Sequence, residues 1–281
     1  MSSMSSMSSM SSMSSSILTP QQISTYYQNG YLVLDNFISE YQCHQLRNQA
    51  YQIVNQRAVT AKARNTFTTE QNERDEFFLK SGDNISLFFE PTTESVNKIG
   101  HTLHLDDSVF KDFSYQPAIL SLIRDLGLTD PLMIQSMFIF KSPRIGGKVD
   151  WHQDGTFLYT EPDTSIGLWF ALEDATLENG CLWVAPGNNY PLRQRFIQTP
   201  DRKTKMIDLQ DSHDLQNSLQ IYEQNKVPLE VKKGTLVVLH SRLPHMSLKN
   251  ESPNSRHAYT LHFIDKNSSY PADNWLHNRY I

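Results

Sequence analysis

The sequence predicts a mainly β protein with helices at its N-terminal end, and two observations support this fold class. Three early stretches begin with helix-capping residues, whereas from Met133 onward the chain consists of short runs rich in β-branched and aromatic residues. Gly, Pro, Asn and Asp separate these runs, which are MIQSMFIFK, VDWHQD, IGLWFALED, CLWVAP, VPLEVKK, TLVVLH, PHMSLKN and HAYTLHFID. This number of strands fits a jelly roll of two facing four-stranded sheets, although periodicity alone does not separate it from other sandwiches.

The three predicted helices are recognised by their first residues. Thr19, Pro20 and Gln22 provide an N-cap, a proline at the first helical position and a capping-box glutamine. The strand-like run YLVLDNF follows. Ser39 and Gln42 then offer a second capping box, before a helix whose apolar side consists of Leu46, Ala50, Ile53 and Val54. The run PAILSLIRDLGL predicts the third helix, because proline opens it and glycine lies near its end.

The domain organisation is predicted from changes in amino-acid composition along the chain. Residues 1–16 form a Met-Ser-Ser repeat with little to bury, so we expect a disordered, low-complexity tail. Residues 17–281 are long enough for a single domain with a substantial core. Within them, residues 193–225 are polar and weakly patterned, which predicts an insertion or a long loop. Long loops in compact domains are often functional lids.

Composition restricts the class of partner. The net charge is -5 and no dense Lys/Arg run occurs, so the electrostatic footprint of a nucleic-acid-binding protein is missing. No apolar run approaches the roughly 18 residues that indicate a membrane span. Only two cysteines occur, no basic and apolar signal segment is visible, and the chain ends in NRYI rather than Ser-Lys-Leu. We therefore expect a cytoplasmic protein with a small-molecule partner, and the sequence predicts no oligomeric state.

The sequence DWHQDGTFLYT contains most of a metal site. His152 and Asp154 are two residues apart in a strand-like run, so their side chains share one face. His240 and His245 are the candidates for a second histidine. His240 ends an apolar run, where a structural histidine is expected, whereas His245 shares a polar strand face with Ser247. Two histidines and one carboxylate form the facial triad of non-haem Fe(II) oxygenases, which leaves coordination positions open.

An arginine would complete a site for a 2-oxo acid, because its planar fork binds a carboxylate through two hydrogen bonds. Arg256, Ala258 and Thr260 alternate with bulkier residues, so the arginine lies on a small and polar strand face. Two other classes of protein stay open on these residues alone. A catalytic zinc hydrolase also uses two histidines and a carboxylate, and a jelly-roll module could bind a metal or a 2-oxo acid without turnover.

Longer motifs extend beyond these residues. The segments VNKIGHTLH, QSMFIFKSPRIGGKVDWHQDGTFLYTEP, GLWFALEDATLENGCLWVAPGN and HSRLPHMSLKN, with Arg256, resemble the phytanoyl-CoA dioxygenase family over residues 23–265. The resemblance implies a double-stranded β-helix, a cupin-like jelly roll, that uses Fe(II), 2-oxoglutarate and O2, with ascorbate as a reductant. It implies an enzyme that oxidatively decarboxylates 2-oxoglutarate to succinate and CO2 and hydroxylates an organic substrate, for which the family suggests an acyl-CoA.

The resemblance also implies roles for individual residues. Iron would be bound by His152, Asp154 and His245. The contacts with 2-oxoglutarate would be made by Lys98, Met137, Trp169, Ser247 and Arg256. A halogenase is disfavoured, because Asp154 is not the glycine or alanine that makes room for a halide in related enzymes. Many family members carry Pro-Gly-Ser-His after the CLWVAP strand, whereas this chain has Pro186-Gly187-Asn188-Asn189. We expect the choice of substrate to lie in this divergent loop and in residues 193–225.

Overall fold

The computed structural model describes residues 16–58, 65–66, 76–91 and 93–279 of the chain. The predicted Met-Ser tail lies outside the described residues, apart from Ser16. Helices α1 to α7 span Pro20–Asn29, Glu40–Ala58, Glu76–Lys80, Leu103–Asp106, Ser108–Ser114, Pro117–Asp125 and Ser212–Asn225. Strands β1 to β14 span Tyr31–Leu34, Asn65–Thr66, Ser86–Phe89, Val96–His101, Pro131–Lys141, Val149–His152, Ile166–Ala171, Leu182–Val184, Gln194–Gln198, Thr204–Asp208, Val227–Leu229, Leu236–His240, His245–Ser247 and Arg256–Asp265.

The helix starts follow the predicted capping chemistry. At α1 the Thr19 hydroxyl accepts a hydrogen bond from the N–H of Gln22, and the Gln22 side chain accepts one from the N–H of Thr19. Ser39 and Gln42 make the same reciprocal pair at the start of α2. Pro117 occupies the first turn of α6. The three helices predicted from the sequence are therefore confirmed.

The strands form two main sheets. One has eight strands in the order β1-β12-β7-β14-β5-β4-β3-β2, and the other has four in the order β11-β8-β13-β6. The eight predicted strands are shared equally between the two sheets. Four of them lie in the large sheet (β5, β7, β12 and β14), and the other four form the small sheet (β6, β8, β11 and β13). The jelly roll is confirmed. The large sheet is wider than predicted, since β1 extends one edge and β4, β3 and β2 extend the other.

Alternation along β7 separates two hydrophobic clusters. Leu168 belongs to a cluster with helical residues such as Leu46, so this face of the large sheet is covered by helices. The next residue, Trp169, belongs to a second cluster with small-sheet residues such as Val184. The two sheets therefore pack against each other, and the space between them contains the cavity described below.

The segment 193–225 is not the long loop that its polar sequence predicted. β9 and β10 pair as an antiparallel hairpin. Helix α7 follows and is capped by Asp211, whose carboxylate accepts a hydrogen bond from the N–H of Asp214. The alternative prediction of an insertion fits its position between the paired strands β8 and β11. The long-loop alternative was wrong because α7 buries only Tyr222 among its residues, which leaves little hydrophobic periodicity to detect. Strands β3 and β4 were not predicted either.

No helix in the described part of the chain is both long and apolar enough to cross a membrane. The two cysteines, Cys43 and Cys181, are buried free thiols. The cytoplasmic location stays a prediction.

The cap of α2 provides a test of the fold. In Ser39→Ala the N–H of Gln42 loses its acceptor, so we expect the free energy of unfolding to fall by about 1 kcal/mol. Urea denaturation followed by circular dichroism measures this change. Ser24→Ala is the matched control, because Ser24 is exposed within α1 and its loss should change stability by less than about 0.5 kcal/mol. Equal losses in the two variants would contradict the capping role.

Candidate active site

Two histidines face each other across the small sheet. β6 and β13 are antiparallel, and their register pairs His152 with His245. The ring centroids are 4.1 Å apart. Nδ1 of His152 lies 2.8 Å from the carbonyl oxygen of Asp150, and Nδ1 of His245 lies 3.1 Å from that of Leu243. When each Nδ1–H donates to its carbonyl, the lone pair of each Nε2 is left to bind a metal.

Asp154 supplies a carboxylate beside the two rings. It is the first residue of the short 3-10 helix Asp154–Thr156, which begins after one intervening residue, Gln153, beyond the end of β6. Its Oδ1 lies 3.9 Å from Nε2 of His152 and 3.6 Å from Nε2 of His245. The three candidate ligand atoms all lie within 4.8 Å of one another, close enough to bind one ion. The structure thus brings the three predicted ligands together, and two imidazoles with one carboxylate fit Fe(II).

Burial and neighbouring charges set the protonation of these groups. Burial, together with the nearby His245, lowers the pKa of His152 to about 4, so its imidazole is neutral at neutral pH. Burial alone would raise the pKa of Asp154, but His245 and His262 outweigh this effect and hold that pKa well below its ordinary range. A neutral imidazole and an ionised carboxylate are the forms that bind a metal.

A further histidine, which the sequence analysis missed, contacts the carboxylate. Nε2 of His262 in β14 lies 3.3 Å from Oδ2 of Asp154, and both side chains are buried. Gly167 of β7 is paired with His262, and a side-chain carbon added at Gly167 would lie 2.7 Å from that Oδ2. The glycine therefore leaves the space in which the contact forms. A signal for His262 was present, because it continues the alternating face of Arg256 and Thr260.

The other possible metal-binding positions are less suitable. His240, the alternative histidine, ends β12, and its Nδ1 accepts a hydrogen bond of 3.1 Å from the N–H of Arg242. Among the described residues, two groups of side chains are close enough together to bind one metal ion, and His240 belongs to neither. The second such group, Asp211, His213 and Asp214, is exposed. The trio beside the cavity is therefore the stronger candidate for a functional metal centre.

Arg256 is a buried cation in the wall of the same cavity. Its Nε donates a hydrogen bond of 3.0 Å to the carbonyl of Gly180, and its guanidinium carbon lies 5.3 Å from the ring centroid of Trp169. Burial lowers the pKa of Arg256 to about 10, so the group stays charged at neutral pH. Its Nη1 is buried with no hydrogen-bond partner among the described residues. A buried cation with an unused donor is suited to a carboxylate ligand.

The other residues predicted to contact a cosubstrate also line this cavity. Lys98 of β4 is buried, and its Nζ lies 3.7 Å from Sδ of Met137 in the neighbouring β5. Trp169 of β7 and Ser247 of β13 contribute walls from the large and the small sheet. Their contacts with 2-oxoglutarate remain predictions.

The regions expected to select the substrate lie elsewhere. Residues 186–189 do not line the cavity, and Gly187 instead donates a backbone hydrogen bond of 2.6 Å to Asn29. Residues 193–225 do not line it directly either. One of them, Phe196 of β9, packs behind the wall, with ring centroids 5.6 Å from Phe157 and 5.8 Å from Phe78. The role of these two regions in substrate choice therefore stays a prediction.

Two facing histidines and a carboxylate between the sheets of a jelly roll, beside a buried arginine, define the class of the non-haem Fe(II) oxygenases. The family profile described as Phytanoyl-CoA dioxygenase (PhyH) matches residues 26–258. Phytanoyl-CoA dioxygenase domain-containing protein 1 of Mus musculus is 38% identical over 92% of this chain and 94% of its own length. Phytanoyl-CoA dioxygenase 1 of Oryza sativa subsp. japonica is 41% identical over 93% of this chain and 95% of its own. The chain belongs to the phytanoyl-CoA dioxygenase family.

A solved structure supports the fold. The crystal structure of EctD from S. alaskensis with 2-oxoglutarate and 5-hydroxyectoine matches with a TM-score of 0.65. The match covers 94% of this chain and 88% of that chain, at 18% sequence identity. At this level of identity the likeness establishes the jelly-roll architecture and leaves the substrate open.

His262 provides a test of the metal centre. Because His262 contacts a candidate ligand without being one, we expect His262→Ala to weaken metal binding by about 10- to 100-fold. Anaerobic titration with Co(II), followed by its visible absorption, measures the affinity without requiring turnover. His240→Ala is the matched control, since His240 lies in the same sheet but its Nδ1 accepts a hydrogen bond from the N–H of Arg242. Unchanged affinity in His262→Ala would show that the contact does not position the carboxylate.

Proposed function

We propose that the protein is an Fe(II)- and 2-oxoglutarate-dependent dioxygenase that hydroxylates an organic substrate. The observation that carries the proposal is a combination: a His-Asp-His trio and a fully buried, incompletely paired arginine line one cavity. When bound, Fe(II) and 2-oxoglutarate supply the oxidising chemistry. One oxygen atom of O2 enters succinate as 2-oxoglutarate loses CO2, and the other oxygen atom is inserted into a substrate C–H bond.

The residues of the chain have separate roles in this proposal. His152 and His245 would hold the metal through Nε2, with their rings oriented by the carbonyls of Asp150 and Leu243. Asp154 would add one negative charge on the same side. Three protein ligands would leave coordination positions for a bidentate cosubstrate and O2.

Arg256 separates the proposal from its alternatives. A 2-oxo dicarboxylate has a second carboxylate that would accept hydrogen bonds from the unpaired Nη1 of Arg256. Activation of a zinc-bound water in a hydrolase does not itself require a buried guanidinium. Packing against Trp169 restricts the orientation of the guanidinium, so less conformational freedom is lost on binding. Lys98 and Ser247 would assist from neighbouring walls of the cavity.

The first test is turnover of 2-oxoglutarate. Purified protein with Fe(II), ascorbate and 2-oxoglutarate should release succinate even without the organic substrate, and Asp154→Ala should abolish this release because the metal loses its charged ligand. Succinate is quantified by mass spectrometry. Asp211→Ala is the control, since Asp211 belongs to the exposed group of potential ligands and should retain activity. Succinate release by Asp154→Ala at the wild-type rate would contradict the proposed metal-binding role of Asp154.

The second test separates cosubstrate binding from metal binding. Arg256→Lys keeps the charge but loses the planar fork, so we expect the KM for 2-oxoglutarate to rise by about 10- to 100-fold. Affinity for Co(II) should stay within about twofold of the wild type, because Arg256 contacts Gly180 and Trp169 rather than the three ligands. Steady-state kinetics and anaerobic metal titration measure the two quantities. A parallel loss of metal binding would contradict the division of roles.

A further inference from the structure

The cavity has two ends of different chemistry, defined by the register of β5 and β14. Lys141 is paired with Arg256, Met137 with Thr260, and Gln135 with His262. All six of these residues line the cavity. Arg256 and His262 lie on the same face of β14, six positions apart. His262 contacts Asp154, so the candidate metal centre lies toward the His262 end of this face, where Gln135 also lines the cavity.

Every lysine and arginine of the cavity wall lies toward the Arg256 end. Lys141 pairs with Arg256, and Lys98 pairs with Ile139, two residues along β5 from Lys141. Lys141 donates hydrogen bonds of 2.7 Å to the carbonyls of Gly147 and Leu248. This end suits the anionic cosubstrate, as already proposed. It leaves the opposite end for the molecule that is oxidised.

We call the opposite end the distal chamber and define it by the lining residues Phe78, His101, Gln135, Phe157, Leu158 and Trp275. A chain of ring contacts connects it to the metal ligands. The ring of His152 lies 6.2 Å from that of Phe157, and the ring of Phe78 lies 4.7 Å from that of Trp275. Phe196 of the β9–β10 hairpin bridges the two pairs from behind. The chamber is therefore adjacent to the candidate metal centre.

The polarity of the distal chamber restricts what it can bind. None of its six lining residues is a lysine, arginine, aspartate or glutamate, and the one ionisable group, the imidazole of His101, lies 2.9 Å through its Nδ1 from the hydroxyl of Ser81. Phosphate and carboxylate groups would therefore find no permanent opposite charge there. Trp275 is buried, and its indole Nε1 has no hydrogen-bond partner among the described residues. A buried donor without an acceptor carries a free-energy cost that a ligand oxygen would remove.

From these observations we infer that the substrate oxidised at this site is an uncharged molecule with a compact apolar or aromatic body and one acceptor oxygen, which binds the indole N–H of Trp275. The inference rests on the proposed function, since it places this molecule next to the metal centre. The aromatic walls stack against the body, whereas the single donor orients it. The chamber offers the phosphates of coenzyme A no permanent countercharge, so they would have to lie outside it.

Binding of matched probes tests the inference. The full-length protein is loaded anaerobically with Fe(II) and 2-oxoglutarate, and 1-tetralone, tetralin, tetralin-1-carboxylate and decanoyl-CoA are titrated by calorimetry. We expect 1-tetralone to bind about five- to tenfold more tightly than tetralin, which lacks the acceptor oxygen. The carboxylate and the coenzyme A thioester should bind at least about tenfold more weakly than 1-tetralone, because the chamber offers them no countercharge.

Three variants locate the binding. Trp275→Phe keeps the ring but removes the donor, so 1-tetralone should lose its advantage while the affinity for tetralin is unchanged. Trp183→Phe is the matched control, because the Trp183 N–H is also buried without a partner but does not line the cavity. Leu158→Phe narrows the chamber from another side and should weaken both neutral probes at least about fivefold. This variant keeps the test decisive if Trp275→Phe does not fold.

The outcomes separate this inference from the proposed function. Absence of 1-tetralone binding, equal binding of the charged probes, or an unchanged preference in Trp275→Phe would overturn the inference about the substrate. Affinity for 2-oxoglutarate is measured in the same samples and should be unchanged in Trp275→Phe and Leu158→Phe. Loss of 2-oxoglutarate binding or of succinate release in the wild type would instead overturn the proposed function.

Discussion

The cross-strand pair of His152 and His245 is the constraint on which the site depends. The two residues are 93 positions apart in the chain (245 − 152), yet the antiparallel register of β6 and β13 places them directly opposite each other. Asp154 follows two residues after His152, so the same register also brings the carboxylate to the pair. A slip of one residue in either strand would turn one imidazole to the other face of the sheet and separate the ligands. The small sheet therefore fixes the relative positions of the two candidate histidine ligands.

The large sheet determines which chemical groups lie around the candidate metal position. Its helix-covered face provides the main hydrophobic core, whereas its inner face carries charged and polar side chains at alternate positions of β5 and β14. Burying Arg256 without a carboxylate partner costs stability, because a desolvated charge is incompletely compensated. A ligand that supplies the missing carboxylate recovers part of this cost. The unpaired guanidinium of Arg256 thus lowers the stability of the ligand-free protein and increases its affinity for a carboxylate. The unpaired indole N–H of Trp275 has the same but weaker effect at the other end of the cavity.

Local chemistry made much of this arrangement predictable from the sequence. Capping residues located three helices, and turn residues separated the eight strands of the two facing sheets. The pair His152 and Asp154 was recognisable from its spacing of two residues, although the structure places Asp154 in a 3-10 helix after β6 and not on the strand itself. His245 was preferred over His240 on its polar strand face, and the family resemblance extended the set to Arg256 and the cavity walls.

Features that depend on tertiary contacts were not predictable. α7 and the β9–β10 hairpin bury few side chains, so their sequences carry little periodicity. The strand face of His262 was visible in the sequence, but its contact with Asp154 and the space left by Gly167 were not, because these residues are 108 and 95 positions away in the chain (262 − 154 and 262 − 167). The distal chamber is assembled from five separate parts of the chain, among them Phe78, Gln135 and Trp275. No single sequence motif predicts such a surface.

The most direct measurement of the central claim is a crystal structure of the protein grown anaerobically with Fe(II) and 2-oxoglutarate, with anomalous diffraction collected at the iron edge. The account predicts one strong anomalous peak coordinated by Nε2 of His152, Nε2 of His245 and the carboxylate of Asp154, with the far carboxylate of 2-oxoglutarate on the guanidinium of Arg256. A peak at the exposed Asp211 group, or 2-oxoglutarate bound away from Arg256, would contradict it.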